Sequence, residues 1–246
     1  EMFYSSLAIY AKLLKFTEAD YVFAPKVDLW DTLIEQMLVQ KRALNEVVET
    51  REHALACAKT VADRYRCNYE HANFLMETAC MIFDKIKTLH GLNPSYKLLL
   101  EIAAILHDCG YFINSKHHLN SNVDIVKYTD IYGLTDKTTL ITAYISRFAE
   151  SETPNYRDAE FASLKGSEKI IALKLAAIFR LANSLDKSQK QKLQSVKVRL
   201  DEDKFIITAK SDSNTRLEHW AFEKCSAFFQ EVFGVQPVLT VKSSLI

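Results

Sequence analysis

Only five glycines and four prolines occur in 246 residues. Glycine weakens a helix through backbone entropy, and proline removes a donor and clashes with the preceding turn. A chain this poor in both is built to run in long helical stretches. The same scarcity bears on function. Glycine-rich loops commonly cradle nucleotide phosphates, and neither GxGxxG nor GxxxxGK[ST] occurs in the sequence. The 31 basic and 31 acidic residues cancel to a formal net charge of zero, which gives no support to nucleic-acid binding driven by bulk charge. No apolar run is long enough to predict a membrane span. The five cysteines are odd in number and form no CxxC pair. With no signal peptide recognised, they predict reduced thiols in a cytoplasmic protein, each thiol packing as a small hydrophobe.

Apolar spacing predicts a helix over 2–15, a short strand at 21–25 stopped by Pro25, and a helix from about 29 to 48 that Asp28 caps. Six more helices are expected, at about 51–65, 69–89, 94–107, 119–131, 136–150 and 166–186. Gly91, Gly110, Gly133 and Gly166 fall at the joints between them. After residue 193 the period changes from helical to alternating. VKVRL and FIITA read as the arms of a β-hairpin, LEHWAFEKCSAFFQEVF as a helix stopped by Gly234, and VLTVK as a third strand. Trp220, Phe222, Phe228, Phe229 and Phe233 form an aromatic face on that last helix, suited to packing or to a homodimer contact. Tyr128, Tyr132 and Tyr144 are expected in the core or at an interface.

The chemistry concentrates in AAILHDCGYF, residues 103–112, where an apolar helix ends in His107-Asp108. Neighbours on a continuing helix point about 100° apart, so the two converge only if the helix stops there, as Gly110 suggests. Imidazole and carboxylate suit a divalent ion such as zinc, manganese, iron or magnesium. His71 opens HANFLMETACMIF on the buried edge of its helix, and the later helix KIIALKLAAIFRLANSLDKS ends with Asn183 and Asp186.

A histidine, then a histidine-aspartate pair, then a distant carboxylate is the order that resembles the HD phosphohydrolase superfamily. LLEIAAILHDCGYFIN, SKHHLNS, VDIVKYTDIYGLTDK and FRLANSLDKSQ, taken in order, resemble the HD region of the exopolyphosphatase and guanosine pentaphosphate phosphohydrolase family. The opening SLAIYAKLLKFTEADYVFAPKVDLWDTLIEQML is similar to the end of the second of that family's two actin-like domains. The resemblance implies a mainly α fold: a remnant of an actin-like domain at 1–40, an HD-like helical bundle at 41–192 and a small α+β appendage at 193–246. It also implies that His71, His107, Asp108 and Asp186 are the residues that would hold a divalent metal. The family's principal site lies between its actin-like domains and uses glycine-rich loops absent from this sequence. Its phosphatase chemistry is therefore expected to depend on domains that these residues do not include.

Several positions depart from the HD pattern. Active members read alanine-aspartate where this chain reads Ala182-Asn183, Asn120 stands where the family often has histidine, and Tyr111 stands where lysine is common. Two readings of His71, His107 and Asp108 follow: a metal triad, or a hydrogen-bonded polar cluster that plugs the bundle. In the second, Arg180 is expected to neutralise Asp108 in place of an ion. Lys116, His117, His118, Arg147, Arg180 and Lys187, with Lys127, read either as a face for polyphosphate or a phosphorylated nucleotide or as unrelated solvated charges. Three functions remain open: a binding and dimerising region of an exopolyphosphatase-related protein, a self-sufficient metal-dependent phosphohydrolase, and a non-catalytic helical scaffold.

Overall fold

The computed structural model describes residues 2–17, 21, 44–150, 159–201 and 203–243. The chain divides into two compact units, Glu1–Val48 and Glu49–Ile246. In the first, helix α1 (Met2–Thr17) exposes Tyr4, Ile9 and Phe16. All but the first residue of the strand expected at 21–25, and most of the helix expected at 29–48, lie outside the described residues.

The second unit is a helical bundle with a small sheet. Its helices are α2 (Leu44–Arg64, entering from the first unit), α3 (Tyr69–Lys85), α4 (Lys87–His90), α5 (Lys97–Leu106), α6 (Cys109–Ile113), α7 (His118–Lys127), α8 (Asp136–Arg147), α9 (Ala159–Ser163) and α10 (Gly166–Ser184). After them come β1 (Gln194–Asp201), β2 (Lys204–Lys210), α11 (Arg216–Phe233) and β3 (Gln236–Lys242). The architecture is mainly α, as expected. No helix among the described residues is long and apolar enough to cross a membrane.

Helix α5 is the axis. Every residue from Leu99 to Leu106 is buried, so it is covered on all sides rather than along one stripe. The charged side chain within that buried run, Glu101, is met by a two-pronged bond from Arg51 at 2.8 and 2.5 Å, the geometry in which a guanidinium best offsets a desolvated carboxylate. Around α5 pack α3 and α8, with α10 laid across α3 and α8.

The helix expected over 69–89 is broken at Ile86. The His90 ring stacks on Phe83 at 4.1 Å and donates from Nε2 to the Phe83 carbonyl at 2.9 Å. That carbonyl would otherwise serve the α3 ladder, so α4 restarts one residue later. The expected β-hairpin is present, with β1 and β2 antiparallel. Strand β3 pairs parallel to β2, an arrangement that needs a crossover, and α11 supplies it. Phe205 of β2 and Phe229 of α11 stack at 5.4 Å inside the same apolar cluster as the bundle, so the appendage shares its core. Phe222, Phe229 and Phe233 are buried, whereas Trp220 is exposed. Tyr144 is fully buried, but Tyr128 and Tyr132 are exposed and belong to no core, because they lie at and beyond the end of α7.

Gly110 is not a joint residue. It lies inside α6, where a Cβ would sit 2.0 Å from the His118 carbonyl oxygen and 2.8 Å from the Asn122 nitrogen. The glycine lets α6 pack directly against the backbone of α7. Gly234, at φ +75°, does act as a left-handed stop, ending α11. Gly110→Ala is therefore expected to cost about 2–3 kcal/mol or more, because rigid backbone must move. Gly166→Ala, where the added carbon meets nothing within 4 Å, should be neutral or slightly stabilising. Urea unfolding of both variants checks this; equal stabilities would contradict the close approach.

Candidate functional site

The site begins with the cap of α3. Asn68 stands at the N-cap and its side chain accepts from the backbone of Glu70 and His71 at 3.1 and 3.3 Å. That fixes His71 in the first turn, 1% exposed. Its Nδ1 donates to Asp186 Oδ2 at 2.7 Å, which turns Nε2 away from that carboxylate. This Nε2 is buried and has no hydrogen-bond partner.

Asp186, fully buried, sits in the loop after α10. Its Oδ1 accepts from the backbone of Lys190 and Gln191 at 3.0 and 2.8 Å, and Oδ2 accepts in addition from Gln191 Nε2 at 2.7 Å. The loop reaches this closure through left-handed backbone at Gln189 (φ 52°) and Gln191 (φ 45°). Non-glycine residues hold that conformation only where surrounding contacts over-determine it.

The pair converges for a reason other than Gly110. Helix α5 ends at Leu106, His107 is its C-cap, and Asp108 turns the chain into α6. His107 Nε2 lies 3.0 Å from Asp108 Oδ1. The His107 ring stands 5.1 Å from that of His71 and edge-on to Phe179 of α10 at 5.8 Å. Asp108 Oδ2 accepts from Gln189 Nε2 at 2.7 Å. Burial alone would raise the Asp108 pKa; the charge and hydrogen bond of His107, the charge of His71 and the Gln189 amide outweigh it and hold the group at about 2. One ligand atom from each of His71, His107 and Asp108 lies within 4.8 Å of the others. An orphaned, buried imidazole nitrogen aimed at a second imidazole and an ionised carboxylate fits a divalent cation. The carboxylate behind His71 is the usual outer support of a ligating histidine.

On the other side of α10, a cleft of about 460 Å³ runs between α10 and α11. Arg180, Lys187, Lys224, Asn183, Trp220 and Phe228 are among its walls. The Arg180 guanidinium lies over the Phe228 ring at 5.1 Å and donates from Nε to the Glu150 carbonyl. It forms no ion pair among the described residues, and burial lowers its pKa. Lys187 Nζ holds Glu150 Oε1 at 2.8 Å, and Lys224 Nζ caps Trp220 at 3.9 Å. Burial works to raise the Glu150 pKa; the Lys187 hydrogen bond and the charges of Lys187, His118 and His107 bring it below the ordinary value.

A family model described as Ppx/GppA phosphatase, domain III, matches residues 55–224. The chain belongs to the Ppx/GppA phosphatase family. The match spans the whole of α3 to α10, and so both the His-Asp cluster and most of the cleft. No curated protein matches the chain.

Within this Ppx/GppA domain the sequence-predicted residues separate into groups. His71, His107 and Asp108 come together, and Asp186 stands behind His71 with both oxygens engaged, outside the group of ligand atoms. Arg180 and Lys187 share the cleft. His118 does not line the cleft; its Nε2 lies 3.7 Å from Glu150 Oε2 and its ring stacks on Tyr111 at 3.8 Å. Lys116 and His117 are exposed in the turn before α7, their amides bound to Asn114 Oδ1, and Lys127 pairs with Glu160 at 2.5 Å. Arg147, on α8, lies over Tyr144 at 5.7 Å. None of these last four lines the cleft. The expected ion pair between Arg180 and Asp108 is not formed: Arg180 projects to the cleft side of α10, and Gln189 meets Asp108 instead. Asn183 lines the cleft as well. Gln189, Gln191 and Lys224 were not legible as site residues, since isolated polar residues in a loop or on a helix carry no motif.

The folded Asp108 pKa lies below its ordinary 3.8. Its contribution is therefore fully present above about pH 4 and is lost as pH falls through about 2. With chelator present, the shift amounts to ~2 kcal/mol at 1.36 kcal/mol per unit. Wild-type stability should fall relative to Asp108→Asn by about that amount between pH 4 and pH 2. Parallel profiles in urea unfolding would show that the carboxylate is not held this way.

Proposed function

We propose that this chain is the phosphorylated-ligand-binding region of an exopolyphosphatase-related protein. It takes polyphosphate or a phosphorylated nucleotide in the α10–α11 cleft, while hydrolysis of the phosphoanhydride depends on actin-like domains. The observation that carries the reading is Arg180. A guanidinium 6% exposed and without a carboxylate partner among the described residues is costly to keep. Its cost is recovered when an anion arrives, and phosphoryl oxygens match its fork of donors. Lys187 and Lys224 add charge on the same wall, and Glu150 holds Lys187 in place. The division into a remnant at 1–40, a bundle at 41–192 and an appendage at 193–246 belongs to the same proposal, with the cleft at the seam of the last two. Residence in the cytoplasm and homodimerisation through the exposed part of α11 are further parts of it.

Titration calorimetry with medium-chain polyphosphate and with a guanosine tetraphosphate is the test. Lys187→Gln should weaken binding about tenfold, the scale of one charge-assisted hydrogen bond. Arg180→Gln should weaken it more. Unchanged affinity in both variants, or no binding by the wild type, rules out the cleft.

A second reading, self-sufficient metal-dependent phosphohydrolysis, is favoured by the unpartnered Nε2 of His71. His71, His107 and Asp108 would hold a divalent ion, with Asp186 orienting His71 and Gln189 orienting Asp108. Such an ion supplies Lewis acidity and a water that ionises near neutral pH. On this reading the purified chain binds one equivalent of manganese or zinc, and His71→Ala abolishes the binding. It also hydrolyses a phosphate ester only when loaded. Metal uptake without turnover would leave the ion a structural role and return catalysis to other domains.

A further inference from the structure

Cys67 and Cys109 belong neither to the three candidate metal ligands nor to the cleft between α10 and α11, yet their sulfurs lie 3.0 Å apart. Cys67 follows Arg66, whose left-handed backbone (φ 54°) turns the chain from α2 toward α3. Cys109 opens α6 immediately after Asp108 and is fully buried, whereas Cys67 is partly exposed. A separate cavity of about 420 Å³ is lined by Arg66, Cys67, Asn68, Asp108, Tyr111 and Gln189. It brings solvent to the Cys67 side of the pair and to the Asp108 carboxylate.

We propose that Cys67 and Cys109 form an oxidation site, in which a hydroperoxide converts the two thiols to a disulfide. The Cys67 sulfur, reached through the cavity, attacks one oxygen of hydrogen peroxide as its thiolate. An S–O bond forms, the O–O bond breaks, and the departing hydroxide takes up the thiol proton as water. The Cys109 sulfur then displaces the hydroxyl from the sulfenic acid, and its own proton leaves with that hydroxyl as a second water. Two thiols lose two electrons in total and the peroxide is reduced to two waters.

The geometry suits the second step better than further oxidation, because the resolving sulfur is already in contact with the attacked one. A disulfide bond is about 2.05 Å long, so closure asks for a movement of about 1 Å. The α2–α3 turn carries the partly exposed partner and can supply it. The bond would staple that turn to the residue next to Asp108, across a separation of 42 positions. Constraining a loop of that size in the unfolded chain should raise the melting temperature by roughly 10 °C. The proposal is independent of whether the site holds an ion or the cleft a phosphorylated ligand.

The test uses the whole chain, reduced, desalted and treated with a small excess of hydrogen peroxide in the presence of chelator. The free-thiol count of five should fall by two. Proteolytic mapping should recover a linked Cys67–Cys109 peptide, and the melting temperature should rise by the amount above and fall back with dithiothreitol. Cys67→Ser, at the partly exposed position, should lose both the linked peptide and the thermal shift, while Cys57→Ser keeps both. Retention of all five thiols would overturn the proposal. So would conversion to sulfinic acid without a linked peptide, or an undiminished thermal shift in Cys67→Ser.

Discussion

The hydrogen bond between Asp186 and His71 joins positions 115 residues apart and organises what surrounds it. On the aspartate side, two backbone amides and a glutamine side chain fold onto the carboxylate, so the loop after α10 exists in this form because the charge is there to be satisfied. On the histidine side, the bond fixes which ring nitrogen meets the carboxylate and leaves Nε2 buried and unpartnered. The loop that closes on Asp186 also delivers Gln189 to Asp108. One buried carboxylate thereby sets the orientation of two of the three groups that face one another. Lost hydration of that carboxyl group is offset by four donors, which is how a fully buried polar group persists.

The site is assembled from helix ends rather than from helix faces. His71 lies in a first turn, His107 is a last residue, Asp108 sits between two helices, and Asp186 follows a C-terminus. Ends are where backbone donors and acceptors go unpaired and where a short polar side chain can find a partner without breaking a ladder. Helix α5 is buried on all sides from Leu99 onward, so it holds its own terminus rigidly in the core. This explains how two sequential residues face one place: the helix has stopped, and the chain turns before α6 begins.

Much of this was legible in the sequence, and the reasons are physical. Helix positions follow from an apolar period that tertiary packing then satisfies, and the hairpin from the switch to alternation at 193. The His107-Asp108 pair stands out because polar residues rarely end a wholly apolar segment without a partner. What was not legible depends on direction. Arg180 and Asn183 sit one turn apart on α10 and both face the cleft, a rotation that the apolar pattern of a helix buried all round does not encode. The parallel pairing of β3 with β2 depends on where α11 packs, and nothing in VLTVK distinguishes one edge of a sheet from the other. Gly110 reads as a stop in the sequence and acts as a contact surface in the fold, because the backbone it touches belongs to His118 and Asn122, eight and twelve residues on.

Glu150 is where the two halves of the site meet electrically. Its carboxylate holds Lys187 on the cleft side, lies 3.7 Å from His118, and feels the charge of His107. Its carbonyl takes the Arg180 Nε–H, so side chain and backbone of one residue face cations on the same helix, α10, and in the loop that follows it. An anion entering the cleft competes with Glu150 for Lys187. Release of Lys187 would leave the Glu150 carboxylate with His118 as its remaining side-chain partner among the described residues. If the cleft takes a phosphoryl group as proposed, one carboxylate would couple it to the His-Asp cluster by charge competition.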